Sequence, residues 1–162
     1  MNDSVDIILQ QWQTERPDLD PSPMGIIGRI SKLEQHFAIA LQNTFANFGL
    51  QRGDFDVLAT LRRNGEPYSL TPTQLYQSMM LTSGAMTNRL DRLEQLEFIT
   101  RQANPNDRRG LLIVLSKKGK NLIEKAMTAH IASETNLLEC LSQQERHQLA
   151  KILRKLLLNF EN

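Results

Sequence analysis

The segment from residue 82 to residue 92 carries the side chains best suited to hydrogen-bonding a nucleic acid. Its first half is uncharged and rich in small hydroxyl and amide groups, which can reach base edges in the DNA major groove. At about 100° per residue, a helix here would place its apolar residues on one face and Asn88 and Arg92 opposite. Arg89 would lie beside the apolar face, able to turn inward or outward. The candidate DNA contacts are Thr82, Ser83, Ala85, Thr87, Asn88, Arg89 and Arg92.

A second basic group lies in the sequence NPNDRRG at 104–110, which is typical of a turn. The segments on both sides are rich in Ile, Val and Leu, so they predict two strands and a hairpin. Asp107, Arg108 and Arg109 would then lie at the hairpin tip, and the DNA minor groove attracts arginine. One of the arginines could instead pair with Asp107 and stiffen the tip. A polar helix face alone is also typical of solvated surface, but the helix and the hairpin together favour DNA binding.

The distribution of charge supports this interpretation, although the net charge of the 162 residues is only +1. Eight basic and four acidic residues lie between positions 82 and 120, whereas five acidic residues and one basic residue lie in the first twenty. A basic middle on a nearly neutral chain is the asymmetry that a polyanion-binding surface requires.

Hydrophobic periodicity and capping residues predict the elements that position these side chains. The fold class is mainly α with a small β-wing (α+β), and its centre is a winged helix-turn-helix. The predicted helices cover 3–14, 24–48, 54–64, 72–79 and 82–97, followed by two C-terminal helices of which the last begins at Ser142. The predicted strands cover 98–103 and 111–116, and a short extended piece covers 68–70.

The central stretch resembles the signature of the MarR family of winged-helix regulators, with the sequence LTSGAMTNRLDRLEQLEFITRQANPNDRRGLLIVLSKKGK. The resemblance implies a homodimer that binds palindromic sites in double-stranded DNA, usually as a repressor released by a small ligand. It also implies three regions. These are N-terminal helices that contribute to dimerisation (1–48), the winged helix-turn-helix domain (49–116) and C-terminal dimerisation helices (117–162).

A finer resemblance is to the urate-responsive, PecS-like branch of that family, carried by WQTERPDLDPSPMGIIGRISKL, RGDFDVLATLRR and LTPTQLYQSMMLTSGAMTNRLDRLE. It implies that urate, xanthine or another small aromatic anion binds at Trp12, Asp56, Arg63 and Arg101, and that Arg89 relays the signal. Asp56 and Arg63 are about two helical turns apart, so both could line one cavity. The same residues would equally suit the helix macrodipole, and Trp12 could simply anchor an N-terminal arm.

Other functional classes find less support in the sequence. No nucleophile elbow, phosphate-binding glycine loop or metal-ligand spacing is present, so neither an enzyme nor a cofactor is predicted. Cys140 is predicted to be a small apolar filler, with a redox sensor as the alternative. A different phenolic ligand and a protein-interaction adaptor also remain open. The acidic N-terminus and the absence of a long apolar segment predict a cytoplasmic protein without membrane contact.

Overall fold

The computed structural model describes residues 2–79, 86–105 and 107–161, and for Arg108 and Arg109 it describes the backbone alone. The fold is mainly helical with one small antiparallel sheet, which confirms the predicted class. The helices are α1 (Ser4–Glu15), α2 (Ser22–Ala46), α3 (Arg52–Arg63), α4 (Pro72–Ser78), α5 (Met86–Gln95), α6 (Lys117–Leu137) and α7 (Gln143–Glu161). The strands are β1 (Ser69–Leu70), β2 (Ile99–Asn104) and β3 (Asp107–Leu115).

The chain divides into two compact units, of which the first extends to Ala40. In this unit Asp3 caps α1, because its carboxylate accepts hydrogen bonds from the backbone N–H groups of Val5 (2.8 Å) and Asp6 (3.0 Å). Arg29 of α2 donates to Asp3 at 2.8 Å and to Asp6 at 2.6 Å. The same two carboxylates therefore begin α1 and attach it to α2.

The second unit begins at Leu41 and is built around α3. Every residue from Gly53 to Leu61 is buried, because α3 contacts α4, α5, α6 and the sheet. Burial of this apolar surface is the main force that holds the winged helix together. The fully buried large side chains of this core are Phe45, Leu50, Leu58, Leu61, Leu75, Leu93, Ile99, Ile113 and Ile123.

The wing differs from its predicted form. The strands lie in the order β1-β3-β2, and β2 pairs with β3 from Ile99↔Leu115 to Asn104↔Asp107 with an irregularity at Ala103 and Asn104. The turn was predicted over 104–110, but β3 already begins at Asp107, so Arg108 and Arg109 belong to a strand. In a hairpin with a short connection, more backbone N–H and C=O groups form hydrogen bonds between the strands, whereas a longer turn would expose them to water.

The C-terminal helices begin at side-chain caps. The Gly119 N–H donates to Ser116 Oγ at 2.9 Å at the start of α6. The capping box predicted at Ser142 is confirmed, since the Glu145 N–H donates to Ser142 Oγ at 3.3 Å and the Ser142 N–H donates to the Glu145 carboxylate at 2.7 Å. No residue of α7 is buried. Cys140, between α6 and α7, is exposed, so the prediction of an apolar filler was wrong.

The three regions predicted from the sequence end at 48 and 116, and they were defined by function. The chain divides into its two compact units at residue 40, so the predicted regions remain a prediction. None of the helices in the described ranges has the length and hydrophobicity needed to span a bilayer. Within the same residues, no cluster of three His, Cys, Asp or Glu side chains could hold a metal ion.

Candidate nucleic-acid interface

Helix α5 has the two faces that its sequence predicts. Leu90 and Leu93 are buried against the core, while Thr87 and Asn88 are exposed. The predicted contacts Thr82, Ser83 and Ala85 lie outside the described residues. The exposed hydroxyl and amide of Thr87 and Asn88 can donate or accept hydrogen bonds, as reading base edges requires.

Arg92 was predicted on the outward polar face; its side chain is 38% exposed, and its guanidinium turns back toward α3. Its Nη1 donates to the carboxylate of Asp54 in α3, whose side chain is only 1% exposed. Its Nη2 donates to the carbonyl oxygen of Gly49 at 3.1 Å. The helical wheel places only the Cβ atom, whereas the long arginine stem allows the charge to reach a buried carboxylate that needs a cation.

Arg89 turns inward, the first of the two orientations that the sequence left open. Its guanidinium lies against α3 at Gly53, where an added Cβ would overlap Nε, Cζ and Nη2. Its Nη1 is buried and has no hydrogen-bond partner among the described residues. Arg89 therefore faces α3, and not the surface that carries Thr87 and Asn88.

Arg101 of β2, a predicted ligand contact, lies between two carboxylates of α5. Its Nη1 donates to Glu94 and its Nη2 to Asp91, both at 2.6 Å, and its backbone N–H donates to Glu94 at 3.1 Å. The hydrogen bond to Asp91 and the charges of both acids raise the pKa of the Arg101 guanidinium above its usual value. A positive charge is thus fixed here, and two carboxylates already neutralise it.

Of the remaining predicted ligand residues, Asp56 and Arg63 lie on α3 and Trp12 lies on α1. Asp56 is buried on α3, and Arg63, at the end of α3, donates to Thr60 Oγ1 at 3.2 Å and to the carbonyl oxygen of Ser78. Arg63 and Arg101 are thus held by different partners, the former next to α4 and the latter next to α5. Trp12 is exposed on α1, in the first of the two units.

Sequence reasoning did not identify the neighbours of Arg89, Arg92 and Arg101. They are Gly53 beside Arg89, Gly49 and Asp54 as acceptors for Arg92, and Asp91 and Glu94 as acceptors for Arg101. A signal was present, because α5 has bases at 89 and 92 and acids at 91 and 94. Residues three apart lie on the same side of a helix, so this spacing puts like charges on two separate sides. The spacing therefore indicates that α5 packs against two elements, one with an acidic residue facing the arginines and one with a basic residue facing the carboxylates.

Comparison with known proteins extends these observations. A model of the MarR family matches residues 50–111, which contain α3 through most of the wing. The chain is 39% identical over 149 residues to the HTH-type transcriptional regulator PecS of Dickeya dadantii (strain 3937), covering 92% of this chain and 90% of that protein. A crystal structure of AbsC, a MarR family regulator from Streptomyces coelicolor, shares the fold with a TM-score of 0.77 at 21% identity, covering 88% of this chain and 97% of that one.

A MarR variant from E. coli, crystallised in complex with operator DNA, matches with a TM-score of 0.72 at 25% identity, covering 90% of this chain and 97% of that one. The relatives are transcriptional regulators and not enzymes. The winged helix, its exposed polar helix face and the likeness to PecS over most of both chains therefore lead to one conclusion: this chain belongs to the MarR family and is a transcriptional regulator that binds DNA.

Proposed function

We propose that the chain is a homodimeric repressor that reads a palindromic operator through α5 and leaves it when urate or a related purine anion binds. One observation carries the DNA-reading part. The charged residues within α5 all lie against other elements of the protein, so the exposed groups near its start are the uncharged Thr87 and Asn88. Sequence discrimination would then come from hydrogen bonds made by the hydroxyl and amide groups. An asparagine amide can form two such bonds with the edge of an adenine.

The wing would supply the contacts that do not depend on sequence. Arg108 and Arg109 follow Asp107 at the start of β3, at the hairpin end of the sheet. Arginines there would contact phosphates or enter the minor groove. In a dimer on a palindrome, two copies of α5 would lie about one DNA turn apart, roughly 34 Å.

The reading role of α5 predicts a change of preferred sequence in an Asn88→Ala variant. The wild-type protein would first select duplexes from a random-sequence pool, and the variant would select from the same pool. We expect the variant to lose preference at one position in each half-site, by about 1–3 kcal/mol. The matched control is Asn121→Ala, which removes an exposed asparagine from α6. If Asn88→Ala selects the wild-type sequence, α5 does not read bases through this residue.

The proposed effector response is supported by the charge balance around Arg101. Asp91, Glu94 and Arg101 together carry one net negative charge, so an anion can approach the guanidinium only if at least one carboxylate moves away. Both carboxylates belong to α5. An anionic purine that binds Arg101 would therefore favour a position of α5 that differs from its DNA-bound position. Because the ligand and the DNA favour different positions of the same helix, binding of one weakens binding of the other.

A titration of the purified protein with urate and with xanthine tests this response. Trp12 is the single tryptophan, so its fluorescence reports on α1 alone. We expect the purine to stabilise the protein against heat and to release the selected duplex. Arg63→Ala and Arg101→Ala should bind the purine more weakly, and Asn121→Ala should bind it as wild type does. Equal thermal shifts in all four proteins would exclude this site, and release by a phenolic acid alone would favour a different ligand.

A further inference from the structure

Asp54 is a buried carboxylate whose hydrogen bonds connect α3 to its neighbours. Its Oδ2 accepts from the backbone N–H of Gln51 at 2.8 Å, which closes the first turn of α3. The same oxygen accepts from Nη1 of Arg92. A carboxylate that is removed from water is costly unless a cation and hydrogen bonds compensate it, so Asp54 holds Arg92 firmly.

Arg92 makes a second bond that fixes the direction of its guanidinium. Nη2 donates to the carbonyl oxygen of Gly49, in the segment just before α3. The planar fork thus contacts both ends of the stretch from Gly49 to Asp54, which a lysine ammonium could not do with the same geometry.

The position of Arg92 on α5 connects its bonds with Asp54 and Gly49 to the DNA-facing residues. Leu90 and Leu93 bury the other side of the helix, but apolar contact is non-directional and leaves α5 some freedom to rotate. Asn88 precedes Arg92 by four residues, so both lie on the same side of α5, one turn apart. Fixing the Arg92 side chain therefore fixes the rotation of the helix at Asn88.

We propose that Arg92 is a positioning residue that acts through Asp54 to set α5 against α3, and that it does not contact DNA. This inference rests on the proposed role of α5 in reading DNA. It reverses the expectation from sequence, in which an arginine on the recognition helix would bind the operator.

The test measures affinity for the selected duplex between 50 and 200 mM salt. Each phosphate contact contributes about −0.9 to the slope of log K against log salt concentration. We expect Arg92→Gln to bind about tenfold more weakly or worse, since it loses the ion pair with Asp54 and the bond to the Gly49 carbonyl, with an unchanged slope. Arg92→Lys should also bind more weakly, although lysine keeps the charge. Arg62→Gln is the matched control, because Arg62 has the same 38% exposure and pairs with Glu124 instead.

Asp54→Asn gives the second arm of the test. It should weaken binding like Arg92→Gln, and the double variant should bind no more weakly than either single one. A slope reduced by about 0.9 in Arg92→Gln would show that Arg92 contacts DNA and overturn the proposal. Wild-type affinity in Arg92→Lys would show that a positive charge suffices without the guanidinium geometry, and it would overturn the proposal as well. If circular dichroism shows that Asp54→Asn is unfolded, the two Arg92 variants decide alone. Failure of base reading by α5 would appear separately, as an unchanged preference in Asn88→Ala.

Discussion

Two buried glycines lie where another element passes too close for a side chain. A Cβ on Gly53 would overlap the guanidinium of Arg89, and a Cβ on Gly119 would overlap the carbonyl oxygen of Phe98. The obstacles differ in kind, because Arg89 is the end of a flexible side chain, whereas the Phe98 carbonyl is backbone. The first can move away at small cost, and the second cannot move without shifting the start of the wing.

The same substitution should therefore have different effects at the two positions. Alanine gains about 0.5–1 kcal/mol over glycine inside a helix. We expect Gly53→Ala to change the free energy of unfolding by less than about 1 kcal/mol, since the helical gain offsets the displacement of Arg89. Gly119→Ala should lower it by about 1–3 kcal/mol, the usual cost of overpacking a rigid site. Urea unfolding followed by circular dichroism measures both, and equal losses would contradict this assignment.

The arginines show how far residue-level reasoning from the sequence extends. Type and spacing placed Arg92 on α5 and Asp56 and Arg63 on α3, and the structure confirms those helices. The hydrogen-bond partner of each guanidinium was not predictable, because the long flexible arginine side chain can bring its charge to a carboxylate on an element distant in sequence. Asp54 is 38 residues from Arg92, and no local pattern pairs them.

At the scale of elements, α1 depends on charge for both its start and its attachment. Arg29 binds Asp3 and Asp6, and Lys32 Nζ donates to Ser4 Oγ at 2.7 Å. Hydrogen bonding to the Asp6 N–H and to Arg29 lowers the pKa of the Asp3 carboxyl. The stabilisation by ionised Asp3 is therefore present above its unfolded pKa of about 4, and it is lost as the pH falls through the lower folded value.

This linkage predicts how α1 responds to acid. Asn also caps helices well, so Asp3→Asn removes the charge and keeps most of the cap. We expect α1 of the variant to unfold at a lower urea concentration than α1 of wild type at pH 7, and the difference to be smaller at pH 2. Tryptophan fluorescence during urea titration at both values measures it. Glu15→Gln removes a charge elsewhere on α1 and serves as control. A difference between Asp3→Asn and wild type that is as large at pH 2 as at pH 7 would exclude the ionised carboxylate as its cause.

Local patterns predicted most element boundaries, and long-range pairing explains the main exception. The capping box at Thr71 is confirmed, because the Gln74 N–H donates to Thr71 Oγ1 at 3.2 Å and the Thr71 N–H donates to Gln74 at 3.0 Å. Such caps involve residues three apart and can be read from the sequence. The early start of β3 depends on pairing between Asn104 and Asp107 and on the β2 ladder behind them. The composition of 104–110 gave no sign of this pairing.

At the scale of the whole molecule, the chain carries more exposed apolar surface than a monomer needs. Six large apolar residues of α7 recur at steps of three and four, and all are exposed: Leu149, Ile152, Leu153, Leu156, Leu157 and Phe160. Such a stripe normally packs against another element. The described residues of the second unit leave the stripe uncovered, and covering it with a second copy agrees with the homodimer proposed above. In a single sequence, the apolar stripe is the sign of a second copy that can be recognised.

Substitutions on two sides of α7 should separate dimerisation from simple loss of hydrophobicity. Leu156 lies in the apolar stripe, whereas Leu158, two residues on, lies about 160° away around the helix. The two side chains are similarly exposed, at 41% and 48%. We expect Leu156→Asp to be monomeric at micromolar concentration in sedimentation velocity and to lose binding to the full palindrome, since a buried unpaired charge disfavours association. Leu158→Asp should remain dimeric and bind the palindrome as wild type does. If Leu156→Asp also stays dimeric, the stripe on α7 does not form the interface.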